Sequence, residues 1–121
     1  MSAWIPVLPL DELPAGEARA YEIGGEYLAL CRVEDKVYAV EDLCPHDTGP
    51  LGDGKLDGFD IVCPRHGARF DVRDGSLQCF PALCGIRSYP ARVHEGMIEV
   101  ELAPREPPGP DDYDEPPNFD D

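Results

Sequence analysis

Two short stretches, each pairing a cysteine with a histidine, constrain this chain more than any other feature. Cys44-Pro45-His46 is followed by 16 residues and then by Cys63-Pro64-Arg65-His66. Cysteine and histidine together suit a zinc ion, and they also suit a [2Fe-2S] centre in which two histidines replace two cysteines on one iron. Zinc sites usually pair like with like, whereas each stretch here is mixed, as expected if its two ligands bind neighbouring irons. The pattern therefore favours two irons over one zinc.

The residues around these pairs fit tight loops. A proline follows each cysteine, and Gly67 follows the second histidine; a fixed φ and a missing Cβ both help a chain to turn sharply. The third histidine, His94, stands beside a Glu95-Gly96 turn and is expected on the surface. A zinc-stabilised binding module without a redox role remains the alternative from another class.

The charge of the chain is strongly negative, −15 in total. Residues 104–121 contribute −6 of it, and six of these 18 residues are proline. Such a segment buries too little apolar surface to offset its ordering entropy, so we expect a domain over residues 1–103 and an acidic, disordered tail over residues 104–121. The tail either solubilises the protein or steers docking. The charge disfavours nucleic acid and anionic membranes as partners and favours a basic protein.

Other features of the sequence argue against a membrane-spanning, a secreted and a disulfide-rich protein. No run of about 18 apolar residues could span a membrane, and residues 1–6 lack the basic and apolar regions of a signal peptide, so a cytoplasmic protein is expected. Five cysteines is an odd number, which argues against a disulfide framework. Cys31 is expected to be a small buried hydrophobic residue, and Cys79 and Cys84 are expected to be two free thiols.

Short apolar runs between turn residues predict an all-β domain. No segment has helical periodicity over 11 residues, and Gly24-Gly25 predicts a hairpin. A sandwich or barrel of about eight to ten strands is expected. A proline in the first strand predicts a sheet edge, and alternation in the last predicts buried Ile98, Val100 and Leu102. The predicted strands are 4–8, 18–23, 26–33, 37–40, 59–62, 68–72, 76–80, 86–94 and 97–102.

These residues resemble those of Rieske ferredoxins, the small soluble electron carriers of bacterial ring-hydroxylating dioxygenase systems. The motif Cys-x-His-x16-Cys-x-x-His carries the resemblance, which continues through residues 70–75, 80–82 and 89–93. It implies three stacked antiparallel sheets with two cluster-binding loops. By the resemblance, Cys44 and Cys63 bind one iron, His46 and His66 bind the other, and the segment around Pro81 covers the cluster as a third loop.

The function implied by the resemblance is one-electron transfer. The partners would be a flavin-containing, NAD(P)H-dependent ferredoxin reductase and a terminal Rieske non-haem iron oxygenase, with one [2Fe-2S] cluster per monomeric chain and no reaction of its own. The length of the chain is expected to exclude the catalytic subunit of an oxygenase. A small subunit of another oxidoreductase, of nitrite-reductase or monooxygenase type, is the alternative.

Departures from the respiratory branch of the same family predict the redox potential. Gly49 and Arg65 stand where that branch has two disulfide-bonded cysteines, and Ala68 and Phe70 stand where it has a serine and a tyrosine that donate hydrogen bonds. Fewer donors stabilise the reduced cluster less. A potential near the low end of the Rieske range, toward about −150 mV, is therefore expected.

Overall fold

The architecture is built from antiparallel strands. The computed structural model describes residues 4–43, 51, 55–63, 67–79, without the side chain of Cys79, and 85–107. In this part of the chain eleven strands form three antiparallel sheets, with one 3₁₀ turn at Leu10–Glu12. The all-β class and the three antiparallel sheets are confirmed, and these eleven strands exceed the eight to ten that the sequence pattern predicts. No helix of these residues is long and apolar enough to cross a membrane.

The strands are β1 (Trp4–Pro9), β2 (Ala18–Ile23), β3 (Glu26–Val33), β4 (Lys36–Glu41), β5 (Lys55–Asp57), β6 (Asp60–Val62), β7 (Arg69–Asp71), β8 (Leu77–Cys79), β9 (Ser88–Tyr89), β10 (Ala91–His94) and β11 (Met97–Glu101). The first sheet has the order β1-β11-β10, the second β2-β3-β4-β9 and the third β5-β6-β7-β8.

The second sheet lies in the middle of the molecule. Its β2 and β3 are joined at Gly24-Gly25, where both residues have positive φ, so the predicted hairpin is confirmed. Strand β3 is buried on both faces. A strand between two layers of side chains is expected to read as a continuous apolar run.

Two buried clusters occupy the two faces of this middle sheet. The terminal core faces the first sheet; it comprises Leu8, Leu13, Ile23, Leu28, Leu30, Val37, Ala39, Tyr89, Ile98 and Val100. The loop core faces the third sheet; it comprises Ala18, Ala29, Cys31, Val40, Leu51, Ile61, Cys63, Ala68, Phe70, Val72 and Ile86. The loop core is named for its position beneath the predicted ligand loops, since it contains Cys63.

The first sheet brings the two ends of the domain together. Strand β1 lies at an edge, as its proline predicts, and pairs with the central β11. Ile98 and Val100 are fully buried and Leu102 is partly buried against the terminal core, so the predicted inward face is confirmed.

The prediction of one strand over residues 86–94 is wrong. Strand β9 pairs with β4 in the middle sheet, whereas β10 pairs with β11 in the first sheet. Pro90 separates them, and a proline has no amide hydrogen for a sheet ladder. One stretch of chain thus passes from one sheet to the next.

The third sheet carries the second predicted loop. Its four strands follow one another as antiparallel hairpins. The sequence pattern does not predict β5, because its three residues include exposed Lys55 and Asp57 between turn residues. Strands β6 and β7 run to and from residues 63–67, which contain the second Cys/His pair.

The chain remains attached to the domain beyond residue 103. Arg105 donates its backbone N–H to the carbonyl of Ser88 at 2.8 Å, and Ser88 donates to the carbonyl of Arg105 at 3.0 Å. This bridge covers the outer edge of β9. The division at residue 103 and the disordered tail stay predictions, and residues 108–121 lie outside the described residues.

Cys31 is buried as predicted. Its side chain is fully buried in the loop core, and burial, together with the nearby negative charge of Asp42, raises the pKa of its thiol. It therefore stays a neutral packing residue. The side chain of Cys79 and all of Cys84 lie outside the described residues, so their expected state stays a prediction.

Candidate metal centre

Cys63 is the predicted ligand that the described residues include. Its side chain belongs to the loop core and the residue is 2% exposed. Cys44, His46 and His66 lie outside the described residues, as does Pro81. The geometry of the site is therefore read from Cys63 and from the residues that flank each loop.

Backbone hydrogen bonds close the second ligand loop. Cys63 donates its N–H to the carbonyl of Ala68 at 2.8 Å, and Gly67 donates its N–H to the carbonyl of Cys63 at 3.0 Å. Gly67 has a φ of +82°, a conformation that glycine adopts without strain. Main-chain bonds therefore hold Cys63 close to Gly67 and Ala68, at the two ends of the loop.

A side chain holds the ends of the first ligand loop. Asp42, two residues before Cys44, accepts a hydrogen bond at Oδ1 from the backbone N–H of Leu51 at 2.7 Å. Leu51 is fully buried in the loop core. Sequence reasoning missed both residues; a carboxylate at a strand end directly before a ligand loop is the signal that could have indicated Asp42.

A second carboxylate holds the chain that follows the predicted third loop. Glu41 accepts a hydrogen bond at Oε1 from the N–H of Arg87 at 2.8 Å, and its own N–H donates to the carbonyl of Arg87 at 2.9 Å. The charge of Glu41 raises the pKa of Arg87, with a smaller contribution from Tyr89. One residue earlier, Ile86 donates its N–H to the carbonyl of Gly75 at 2.8 Å.

The surroundings of Cys63 in the loop core are apolar. Ala68 and Phe70 are both fully buried in the same cluster as Cys63. Neither side chain has a hydrogen to donate to sulfur. This is the environment on which the expected low potential depends, and the potential itself stays a prediction.

An acidic groove begins next to the first ligand loop. Two exposed hydrophobic side chains, Tyr27 at 63% and Leu43 at 37%, lie on it. Tyr89 donates its hydroxyl hydrogen to Glu26 at 3.4 Å, and burial, reinforced by the charge of Glu26, raises the pKa of Tyr89. The groove is lined by Glu26, Tyr27, Glu41, Asp42, Leu43, Arg87 and Tyr89.

Residues 3–90 match the family model of the Rieske [2Fe-2S] domain. The chain belongs to the Rieske [2Fe-2S] family. Among curated relatives of this Rieske protein, the ferredoxin component of the naphthalene 1,2-dioxygenase system of Pseudomonas aeruginosa is 36% identical over 100 residues. That match covers 83% of this chain and 96% of the relative.

Solved structures agree with the family. The ferredoxin of carbazole 1,9a-dioxygenase from Nocardioides aromaticivorans IC177 has a TM-score of 0.78 and 33% identity, over 81% of this chain and 96% of that one. A chain from a complex of reduced oxygenase and oxidized ferredoxin in carbazole 1,9a-dioxygenase has the same TM-score of 0.78 and identity of 33%, over 84% and 95% of the two chains. A protein from Mycobacterium tuberculosis that is assigned as an NADH-dependent nitrite reductase small subunit has a TM-score of 0.77 and 27% identity, over 85% of this chain and 97% of that one.

The cofactor of this Rieske protein is a [2Fe-2S] cluster, and the described residues fit it. Cys63, at the start of a loop, offers a sulfur atom as a metal ligand. The loop core shields this sulfur from water on the side that faces the protein interior. Family membership sets aside the zinc alternative. The curated relatives that match over nearly their whole length are ferredoxin components of dioxygenase systems, so this chain is an electron-transfer protein and not a catalytic oxygenase.

Proposed function

We propose that this Rieske protein carries single electrons from a flavin-containing, NAD(P)H-dependent ferredoxin reductase to the terminal oxygenase of an aromatic-ring-hydroxylating dioxygenase system. The observation that carries the proposal is the 36% identity to a naphthalene dioxygenase ferredoxin over 96% of that relative's length. The complex of a similar ferredoxin with its oxygenase supports the direction of transfer. A cytoplasmic monomer is part of the proposal.

The proposed ligands are Cys44 and Cys63 on one iron and His46 and His66 on the other. A bound [2Fe-2S] cluster takes up and returns one electron at a time. Cys63, held by its backbone bonds to Gly67 and Ala68, presents a thiolate from a fixed position. Asp42 and Glu41 hold chain segments that border the other loops.

The charge of the protein supports basic docking surfaces on its partners. The chain has a net charge of −15, and three of the groove residues beside the first ligand loop are carboxylates. Long-range attraction between opposite charges speeds association and weakens as salt screens it. We therefore expect electron transfer to slow at high ionic strength.

The domain boundary is best drawn four residues later than the sequence suggests. The proposed cluster domain extends to residue 107, because the Ser88–Arg105 bridge ties residues 104–107 to the middle sheet. The acidic tail is then residues 108–121, which carry six acidic and no basic side chains.

A small subunit of a nitrite reductase is the second candidate, and the 27% identity to such a subunit favours it. Identity to the dioxygenase ferredoxins is higher, at 36% and 33%. The two candidates differ in partner, so the genes beside this one and the identity of the electron acceptor distinguish them.

Reconstitution tests the proposal. Purified protein should be red-brown and contain iron and acid-labile sulfide in equal amounts. It should be reduced by NADH through a dioxygenase ferredoxin reductase and reoxidised by the matching oxygenase. Transfer only to a nitrite reductase large subunit would support the second candidate instead.

The three histidines provide matched variants for the ligand assignment. His46→Asn and His66→Asn should each abolish cluster assembly, whereas His94→Asn should leave it unchanged, because His94 is an exposed side chain on β10 that lies beside Glu95. Iron content and visible absorption report the result. Full assembly in His66→Asn would contradict the assignment.

A further inference from the structure

The two ends of the first ligand loop are joined by a contact that depends on one side chain. Asp42 and Leu51 flank residues 44–50, and the carboxylate of Asp42 accepts the backbone N–H of Leu51 at 2.7 Å. The bond spans nine positions of sequence. In this contact a carboxylate oxygen accepts the amide hydrogen within ordinary hydrogen-bond distance.

Each partner of this bond is itself fixed to the sheets. Asp42 donates its backbone N–H to the carbonyl of Tyr27 in β3 at 3.0 Å. Leu51 is fully buried in the loop core, the cluster that also contains Cys63 and Ala68. The contact therefore joins two rigid points and defines the span that residues 44–50 must bridge.

The second ligand loop is closed in a different way. The bonds from Cys63 to Ala68 and from Gly67 to Cys63 join backbone groups. These two bonds do not depend on the identity of a side chain. In the first loop, by contrast, the acceptor is a carboxylate that a single substitution removes.

We propose that Asp42 is a positioning residue for the cluster: its carboxylate joins the two ends of the first ligand loop, and this closure helps the protein to retain the cluster. This inference rests on the proposed ligand set. Groups that orient metal ligands commonly change metal retention by about 10–100-fold when they are removed. Asp42 affects the cluster through the loop.

Iron release provides the test. Holoprotein is mixed with an excess of a ferrous or ferric chelator, and the loss of visible absorption is followed in the parent, Asp42→Ala and Asp42→Asn. Asp42→Ala should lose the cluster at least about tenfold faster. Asp42→Asn keeps an oxygen that can accept the same N–H but removes the charge, so its rate should stay close to that of the parent.

Asp74→Ala is the matched control. Asp74 also uses Oδ1 to accept a backbone N–H, that of Ser76 at 2.9 Å, but in the turn between β7 and β8. The substitution Asp74→Ala removes a carboxylate and one hydrogen bond to a backbone N–H, as Asp42→Ala does. Asp74 flanks none of the predicted ligands. Its release rate should equal that of the parent, and far-UV circular dichroism should give all variants similar unfolding midpoints.

Two results would overturn the inference. One is release from Asp42→Ala at the parent rate; the other is equal acceleration in Asp42→Ala and Asp74→Ala. If Asp42→Ala does not assemble a cluster at all, Asp42→Asn provides the test. Retention of the cluster at the parent rate in Asp42→Asn supports the loop-closing role. Failure of Asp42→Asn to assemble a cluster assigns the effect to the lost charge and contradicts the loop-closing role. A parent protein without iron and sulfide would instead contradict the proposed function.

Discussion

Cys31 and Cys63 are both buried, and only Cys63 is a proposed ligand. Cys31 lies within β3, and burial raises its thiol pKa so that it stays neutral. Cys63 follows the last residue of β6, where backbone bonds to Gly67 and Ala68 turn the chain into a ligand loop. Burial alone does not distinguish a packing thiol from the proposed ligand; the two cysteines differ in that Cys63 stands at a strand end.

Two substitutions beside Cys63 should raise the redox potential. Ala68→Ser and Phe70→Tyr place hydroxyl donors at fully buried positions of the loop core. Donors to sulfur stabilise the reduced cluster, so the double variant should have a potential higher by on the order of 100 mV. Protein-film voltammetry measures the change.

Val72→Thr is the control for this potential. It adds a hydroxyl to the same core, at a fully buried position two residues beyond Phe70. An equal rise in Val72→Thr would show that any buried hydroxyl has the effect. An unchanged or lower potential in the correctly assembled double variant would count against the role assigned to positions 68 and 70.

Replacing Arg73 should make the domain unfold at a higher pH in acid, because Arg73 lowers the pKa of Asp71. Burial favours a higher pKa for Asp71, but hydrogen bonds from the side chain and backbone of Arg73 and its positive charge lower the pKa overall. The stabilisation is therefore full above the unfolded value of about 3.9 and is lost as the pH falls through the folded value. Arg73→Gln should shift the acid-unfolding midpoint, followed by far-UV circular dichroism, to higher pH.

Arg92→Gln is a matched comparison for Arg73→Gln. Arg73 lies over the ring of Phe59 at 3.9 Å and binds Asp71 at 2.7 Å. Arg92 lies over the ring of Trp4 at 4.3 Å and binds Glu99 at 2.8 Å in the first sheet. If both variants move the acid midpoint equally, the effect is general loss of a surface pair and not the protonation of Asp71.

At the scale of single residues, the sequence predicts the ligand pattern. It does not predict which residues hold the ends of the ligand loops together. Cys63 and its motif partners stand in two short runs, so their spacing is visible directly. Asp42 and Leu51 are nine positions apart, and Glu41 and Arg87 are 46 apart. Such contacts depend on how sheets stack, which no local pattern contains.

Among the elements, the turn between β7 and β8 packs closely against the chain at Ile86. Gly75 has a φ of +79°, and a Cβ there would collide with the backbone carbonyl of Ile86. Gly85 is similarly crowded by the carbonyl of Gly75 and by Pro107. The chain after the predicted third loop is thus held against this turn by close backbone contact.

Gly75→Ala should destabilise the domain by about 3 kcal/mol, because it combines strain at positive φ with a backbone collision. Gly96→Ala is the control: its φ is +80°, but nothing lies within 4 Å of the added Cβ. The control should lose only about 1 kcal/mol. Urea denaturation measures both, and equal losses would contradict the importance of the Ile86 contact.

Element types were predictable from alternation and turn residues, and several boundaries were not. The Gly24-Gly25 hairpin and the inward face of β11 follow from local patterns. The division of residues 86–94 into β9 and β10 does not, because both strands are short and Pro90 alone separates them. Which sheet a strand joins is decided by its partners, here β4 for one and β11 for the other.

At the scale of the whole molecule, residues 104–107 keep a contact with the middle sheet. Composition predicts a disordered tail from residue 104, which stays a prediction, and within residues 104–107 Arg105 is bound to Ser88 by two backbone bonds. Proline content and charge indicate the conformational entropy of a free chain. They do not indicate that an open sheet edge is available to bind this segment.

Two truncations separate this attachment from the acidic tail. Removing residues 108–121 changes the net charge from −15 to −9 and should leave the unfolding midpoint unchanged. Removing residues 104–121 also deletes the Ser88–Arg105 bridge and should lower stability by about 1–2 kcal/mol. Equal midpoints for the two truncations, measured in urea, would contradict a stabilising role for residues 104–107.

The middle sheet separates the molecule into two halves that can change independently. Leu28 and Leu30 face the terminal core, while Ala29 and Cys31, on the same strand, face the loop core. A substitution in the terminal core therefore changes the packing on one face of the sheet and leaves the side chains around Cys63, on the other face, in place.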